Sequence, residues 1–278
     1  MNFTKNLLVP DYIYSARVDV ADIPFFEEAF YNDLEFYSED IKATPERFKY
    51  GLRIGYGYMN MIKKNLYSLP EKYTIKSLGD KGFEWRFVPE LINKYDTKFS
   101  ICAGAGTNIT FETSFAQELS DINIALLDPS PHSIKHIERI KLPSNIKFLP
   151  VGFSNKDEVL KFHKPSTPGV GSLSALNLQP SDTFFELPVK RLLTILREQN
   201  IEAKNLCYLK FDIEGSEHVV IDDIIQSKLR PAHIAFEFDQ PVPPWTMEKT
   251  LKKLIKYGYV IVDIWGLNVL AIDKLLIT

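Results

Sequence analysis

The chain has 278 residues, 45% hydrophobic and 25% charged, which is enough apolar content for one sizeable core with an appendage. Its 33 basic and 36 acidic residues leave a formal charge of -3, so no global field draws the chain to nucleic acid or to an anionic membrane surface. Nowhere do about 18 uninterrupted apolar residues occur, and the start "MNFTKNLLVPDYIYSARVDV" lacks an apolar run after a basic one, so a cytoplasmic protein without an integral membrane segment is expected.

Residues 1 to 96 are aromatic-rich and mostly helical in pattern. In "IPFFEEAFYNDLEFYSEDI" the side chains of Phe26, Phe30, Leu34 and Tyr37 fall roughly on one helix face, and "PERFKYGLRIGYGYMNMIKKNLYSL" continues the pattern. This N-terminal extension reads as a helical cap or a surface for a homodimer, with a substrate lid as the alternative.

From residue 97 to 278 short apolar runs alternate with amphipathic segments, the mark of βαβ units around a parallel sheet. Strands are predicted at 99–103, 123–128, 146–151, 207–212, 233–238, 259–265 and 268–273. Helices are predicted in "TNITFETSFAQEL", in "PVKRLLTILREQ" from Val189 onward, and in "TMEKTLKKLIKYG" with Gly258 as its C-cap. The last two strands, joined by "GL", form an antiparallel hairpin at the end of the sheet. The fold class is therefore α/β, a seven-stranded, mostly parallel, Rossmann-like sheet with helices on both faces. The irregular stretch 163–188 is longer than ordinary connections and is favoured as a lid.

"ICAGAGTNITFE" sets Gly104 and Gly106 between a strand and a helix, where backbone can approach a ligand and free N–H groups favour a carboxylate or phosphate. The next strand ends at Asp128, placed as the acid that grips a ribose diol in nucleotide-binding α/β folds. The dinucleotide fingerprint fails, because Ile109 stands where its third glycine should be. The run "CYLKFDIEGSEHVV" brings Lys210, Asp212, Glu214 and Glu217 to a strand end, where unpaired carboxylates have a task or a partner. Against this stands a structural reading: Gly215 serves a turn, Glu217 a helix start, and Asp212 bonds backbone N–H groups. Lys210 shares a strand face with Asp212 and can pair with a carboxylate. Glu237 and Asp239 close the following strand at the same edge and are candidates for an acceptor pocket, as is His218. Cys102 and Cys207 read as free core thiols, and no Cys or His spacing suggests a metal. His132 and His136, four apart on a helix, are read as surface residues.

These segments, "SICAGAGTNITFE", "LLDPSPHS", "GSLS" at 171–174, "LPVKRLLTIL" and "YLKFDIEGSEHVVI", in this order, resemble the FkbM-type methyltransferases over residues 74 to 273. The resemblance implies the class I methyltransferase sheet and S-adenosylmethionine as cofactor. It implies that Gly104, Ala105, Gly106 and Thr107 line the methionine part, that Asp128 with Pro129 beside it holds the ribose, and that Gly152, Phe153 and Ser154 of "VGFSN" lie by the adenine. Asp212 and Glu214 would sit near the transferred methyl, with Lys210 completing the catalytic set. One position departs from the family: Cys102 stands where an acid often meets the cofactor's amino group. The expected reaction is methyl transfer to a hydroxyl, with a carboxylate orienting or deprotonating it, and the acceptor a small molecule, saccharide, lipid-linked sugar or polyketide. The alternatives are an NAD-dependent oxidoreductase and a silent nucleotide-binding scaffold.

Overall fold

The computed structural model describes residues 55, 57–164, 172–176, 181–238 and 244–277. The helical stretch expected around Phe26 to Tyr37, Asp239, and positions 165–171 and 177–180 of the 163–188 segment lie outside them. A helical segment at 57–62 leads into a hairpin of β1 (Lys76–Leu78) and β2 (Trp85–Phe87), then the short α1 (Pro89–Ile92). The core continues with β3 (Lys98–Ala103), α2 (Thr110–Glu118), β4 (Ile122–Leu127), α3 (Pro131–Ile137) and β5 (Ile146–Leu149). An excursion of β6 (Gly152–Phe153), β7 (Glu158–His163) and β8 (Phe184–Lys190) precedes α4 (Leu192–Glu198). The chain then forms β9 (Leu206–Phe211), α5 (Glu217–Gln226), β10 (His233–Glu237), α6 (Pro244–Tyr257), β11 (Tyr259–Trp265) and β12 (Asn268–Asp273).

All seven strands expected from the apolar runs pair in one sheet, in the order β11-β12-β10-β9-β3-β4-β5. The five strands β5, β4, β3, β9 and β10 are parallel, while β12 runs antiparallel between β10 and β11. The final hairpin is therefore present, but its last strand is inserted into the sheet rather than added at the edge. Alternation sorts the side chains: Ile101, Ala103, Leu209 and Phe211 join one core, and Cys102, Ile124, Leu126 and Tyr208 the other. Because the central strands are covered on both faces, their sequences are continuous apolar runs rather than alternating ones. Cys102 and Cys207 are free and buried, as expected. Gly258, at φ +106°, ends α6 in the left-handed conformation that glycine adopts without steric cost.

The described part of the N-terminal extension packs onto this sheet. Trp85, Phe87, Val88, Leu91 and Ile92 join the core over β3 and β4, and Met59 and Ile62 the opposite one. Buried His233 fastens the hairpin: its Nε2 accepts the Val88 N–H at 3.2 Å while Nδ1 bonds the Cys207 carbonyl at 2.9 Å. Two local expectations differ. Val189 is not helical, because β8 extends to Lys190, paired with β7 and with Gly152 and Phe153 of β6; helix α4 begins only at Leu192. The same pairing makes both ends of the irregular 163–188 stretch strand rather than loop. No helix among the described residues is long and apolar enough to cross a membrane.

Candidate active site

Parallel sheets bind ligands outside their carboxyl ends, where successive connections depart to opposite sides. Here that point lies between β3, which leads to β4, and β9, which the chain reaches only after β4 and β5. A cavity of about 380 Å³ opens there, a volume within the range of about 300–1,000 Å³ common for small-molecule sites. It gathers Gly104, Ala105, Gly106 and Thr107 after β3, Asp128 and Pro129 after β4, Gly152 and Phe153 of β6, and Lys210, Asp212 and Glu214 at the end of β9. Residues remote in sequence are thus brought to one place. Ser154, His218 and Glu237 are not in the wall. Ser154 is buried, with its N–H donated to the Lys190 carbonyl at 3.0 Å. His218 stacks on Phe238 and bonds Thr250 Oγ1 at 2.6 Å, and burial pushes its pKa down to about 4.

The glycine turn differs from its expected use as an anion cradle. The N–H groups of Gly104 and Ala105 donate to the Leu127 carbonyl at 2.9 and 3.3 Å, and that of Gly106 donates to Asp128 Oδ2 at 2.9 Å. These donors therefore hold β3 to β4 and are not presented to a phosphate. Gly104 is required by its neighbour: at φ +83°, a Cβ there would lie 1.9 Å from the Asp212 carbonyl oxygen. Gly106, at φ +55°, faces open space instead.

The carboxylates of the site have distinct environments. Asp128 is buried and accepts one backbone N–H on each oxygen, Gly106 on Oδ2 and Ser130 on Oδ1 at 2.8 Å. A carboxylate offers about four lone-pair directions, so a clamped Asp128 still has acceptor capacity for a diol. Glu217 is buried at the start of α5, where its Oε1 takes the N–H groups of Ile213 and Gly215 at 3.1 and 3.2 Å and shapes the acidic loop. Within that loop Glu214 adopts φ +54°, strained for a non-glycine residue, and its carbonyl accepts a hydrogen bond from Ser174 Oγ at 2.6 Å. Asp212 stands apart, because no hydrogen bond to its carboxylate is made by the described residues. Burial pushes its pKa up, opposed by Lys210 and reinforced by Asp128 and Glu112. A carboxylate with a raised pKa and open lone pairs is suited to accept a proton.

Lys210, expected in the catalytic set and able to pair with a carboxylate, is paired. Its Nζ bonds Glu112 Oε1 at 2.9 Å, lies 4.7 Å from the centre of the Trp85 ring and contacts the Gly104 carbonyl at 3.5 Å. Burial, the largest single effect, lowers its pKa, but the charge of Glu112, then Cys102, Asp212 and the hydrogen bond to Glu112, together outweigh it and raise the value, so the group stays an ammonium. Glu112 was not singled out by sequence reasoning. The available signal was its place on the apolar face of α2, where Glu112, Phe115, Ala116 and Leu119 recur at helical spacing and all are buried.

Among the described residues, the walls carry four carboxylates, Glu112, Asp128, Asp212 and Glu214, against the single ammonium of Lys210. Phe83, Trp85, Phe111, Phe153 and Phe162 supply flat apolar surface between them. The arrangement suits a ligand with a ring system, hydroxyls and net positive charge. Among the described residues, no group of three or more His, Cys, Asp and Glu side chains is placed to hold a metal ion. No protein-family model matches the chain and no curated protein does either.

Proposed function

We propose that the chain is an S-adenosylmethionine-dependent methyltransferase that acts on a hydroxyl oxygen, with Asp212 as the base. The observation that carries this reading is the charge and wiring of the cavity. A pyrophosphate needs free N–H groups or cations, whereas this glycine turn donates its N–H groups internally and, among the described residues, the one ammonium in the wall is already paired. A sulfonium cofactor with an ammonium end has the opposite requirement, which an excess of carboxylates meets. That contrast disfavours the NAD-dependent alternative independently of the missing third glycine.

When bound, S-adenosylmethionine supplies an electrophilic methyl group. Asp128, held by two backbone N–H groups, is placed to take the ribose hydroxyls. Gly152, Phe153 and Phe162 form an apolar wall that fits a purine. Asp212, at the β9 end of the cavity, orients the acceptor hydroxyl and removes its proton as the oxygen attacks. The resemblance to FkbM-type enzymes supports the same assignment and points to a saccharide, lipid-linked sugar or polyketide acceptor. Calorimetric titration tests the proposal: S-adenosylhomocysteine should bind at least about a hundredfold more tightly than NADH. Preferential binding of NADH would overturn it. Tight cofactor binding with no methyl transfer to any of a panel of hydroxyl acceptors would instead favour a silent scaffold.

A further inference from the structure

We propose that Glu112 is the group that recognises the α-amino end of the cofactor, an assignment that rests on the S-adenosylmethionine reading. The amino-acid part of that cofactor carries a primary ammonium, and burying an ammonium requires a carboxylate partner. The end of β3 offers none. Cys102 is fully buried, and burial pushes its thiol up to about 12, which keeps it neutral. Asp128 stands at the end of β4 rather than β3, and its remaining acceptor capacity is the part assigned to the ribose diol.

Glu112, from the first turn of α2, lies in the cavity wall with its side chain only 1% exposed. One of its oxygens, Oε1, takes the Lys210 ammonium at 2.9 Å. The other, Oε2, makes no hydrogen bond to a described residue and is not sealed in the core, so it is open to the cavity that Glu112 lines. Lys210 also bonds the Gly104 carbonyl, which puts the pair directly beside the glycine turn. Trp85, stacked over the Lys210 ammonium, limits the freedom of both side chains. The open oxygen is therefore held in one place, beside the turn expected to line the methionine part. A carboxylate from the helix thus stands in for the acid missing from the strand.

The experiment compares S-adenosylhomocysteine with its analogue in which hydrogen replaces the α-amino group, by calorimetry on wild type and on Glu112→Gln. Wild type should bind the des-amino analogue about ten- to a hundredfold more weakly, and Glu112→Gln should bind the two ligands within about twofold of each other. If the variant weakens both ligands equally, or neither, Glu112 is only the counter-ion of Lys210 and the assignment falls. Circular dichroism checks that the variant is folded. Should it fail to fold, wild type alone decides: near-equal affinity for the two ligands overturns the assignment, and a crystal structure of the S-adenosylhomocysteine complex must place the amino nitrogen against Glu112. If wild type binds neither ligand, the cofactor reading itself has failed.

Discussion

At the residue scale, the site depends on side chains and glycines that do different work within a few ångströms. Gly104 and Gly106 both sit at positive φ, yet only Gly104 is hemmed in, with the Asp212 carbonyl where a Cβ would go. Gly104→Ala should lose about 3 kcal/mol or more, because backbone rather than a flexible side chain must move. Gly106→Ala should lose only about 1 kcal/mol, the conformational cost of a left-handed residue facing open space. Urea denaturation of the two variants checks the difference. Similar losses would mean that contact between β3 and β9 is not what fixes Gly104. From sequence, the two glycines were indistinguishable, since the neighbour that separates them arrives from residue 212. The same limit applied to the acids. Asp128, Asp212 and Glu217 all read as strand-end or helix-start carboxylates, and only folding reveals which of them backbone N–H groups already occupy.

At the element scale, β9 and β10 end side by side and bring several carboxylates to one edge. Burial, then Asp212, Glu214 and Glu217, push the Glu237 pKa up to about 8. The folded chain therefore keeps a proton on Glu237 that the unfolded chain, with an ordinary glutamate pKa near 4.5, releases. Stability from this group is fully present below about pH 4.5 and is lost as pH rises through about 8. Glu237→Gln should flatten that dependence, so its stability advantage over wild type should grow by about 1 kcal/mol or more between pH 5 and pH 8. Parallel pH profiles for the two proteins would show that the edge is better hydrated than this account holds. The long core strands were legible because each is an apolar run buried on both faces. Strands β1, β2 and β6 were not, since strands of two or three residues carry no period and exist only through distant partners. The 163–188 stretch shows the same effect, because Phe184–Lys190 becomes strand by pairing with Glu158–His163.

At the scale of the whole molecule, the strand order explains why residues spread from 83 to 214 meet in one cavity. The sheet starts at its centre with β3, builds outward through β4 and β5, and returns to lay β9 on the other side of β3. Every loop leaving the carboxyl edge near that crossover faces the same space. Glycine turn, Asp128 and the acidic run were legible as strand-end motifs, and their convergence follows from parallel pairing alone. The charge balance of the cavity was not legible, because it depends on Glu112 entering from a helix and pairing with the Lys210 ammonium there. The most direct test of the central claim is a crystal structure with S-adenosylhomocysteine. The account predicts the ribose hydroxyls on Asp128 and the sulfur facing Asp212 across the β3–β9 edge. A ligand bound outside this cavity, or a sulfur turned away from Asp212, would contradict it.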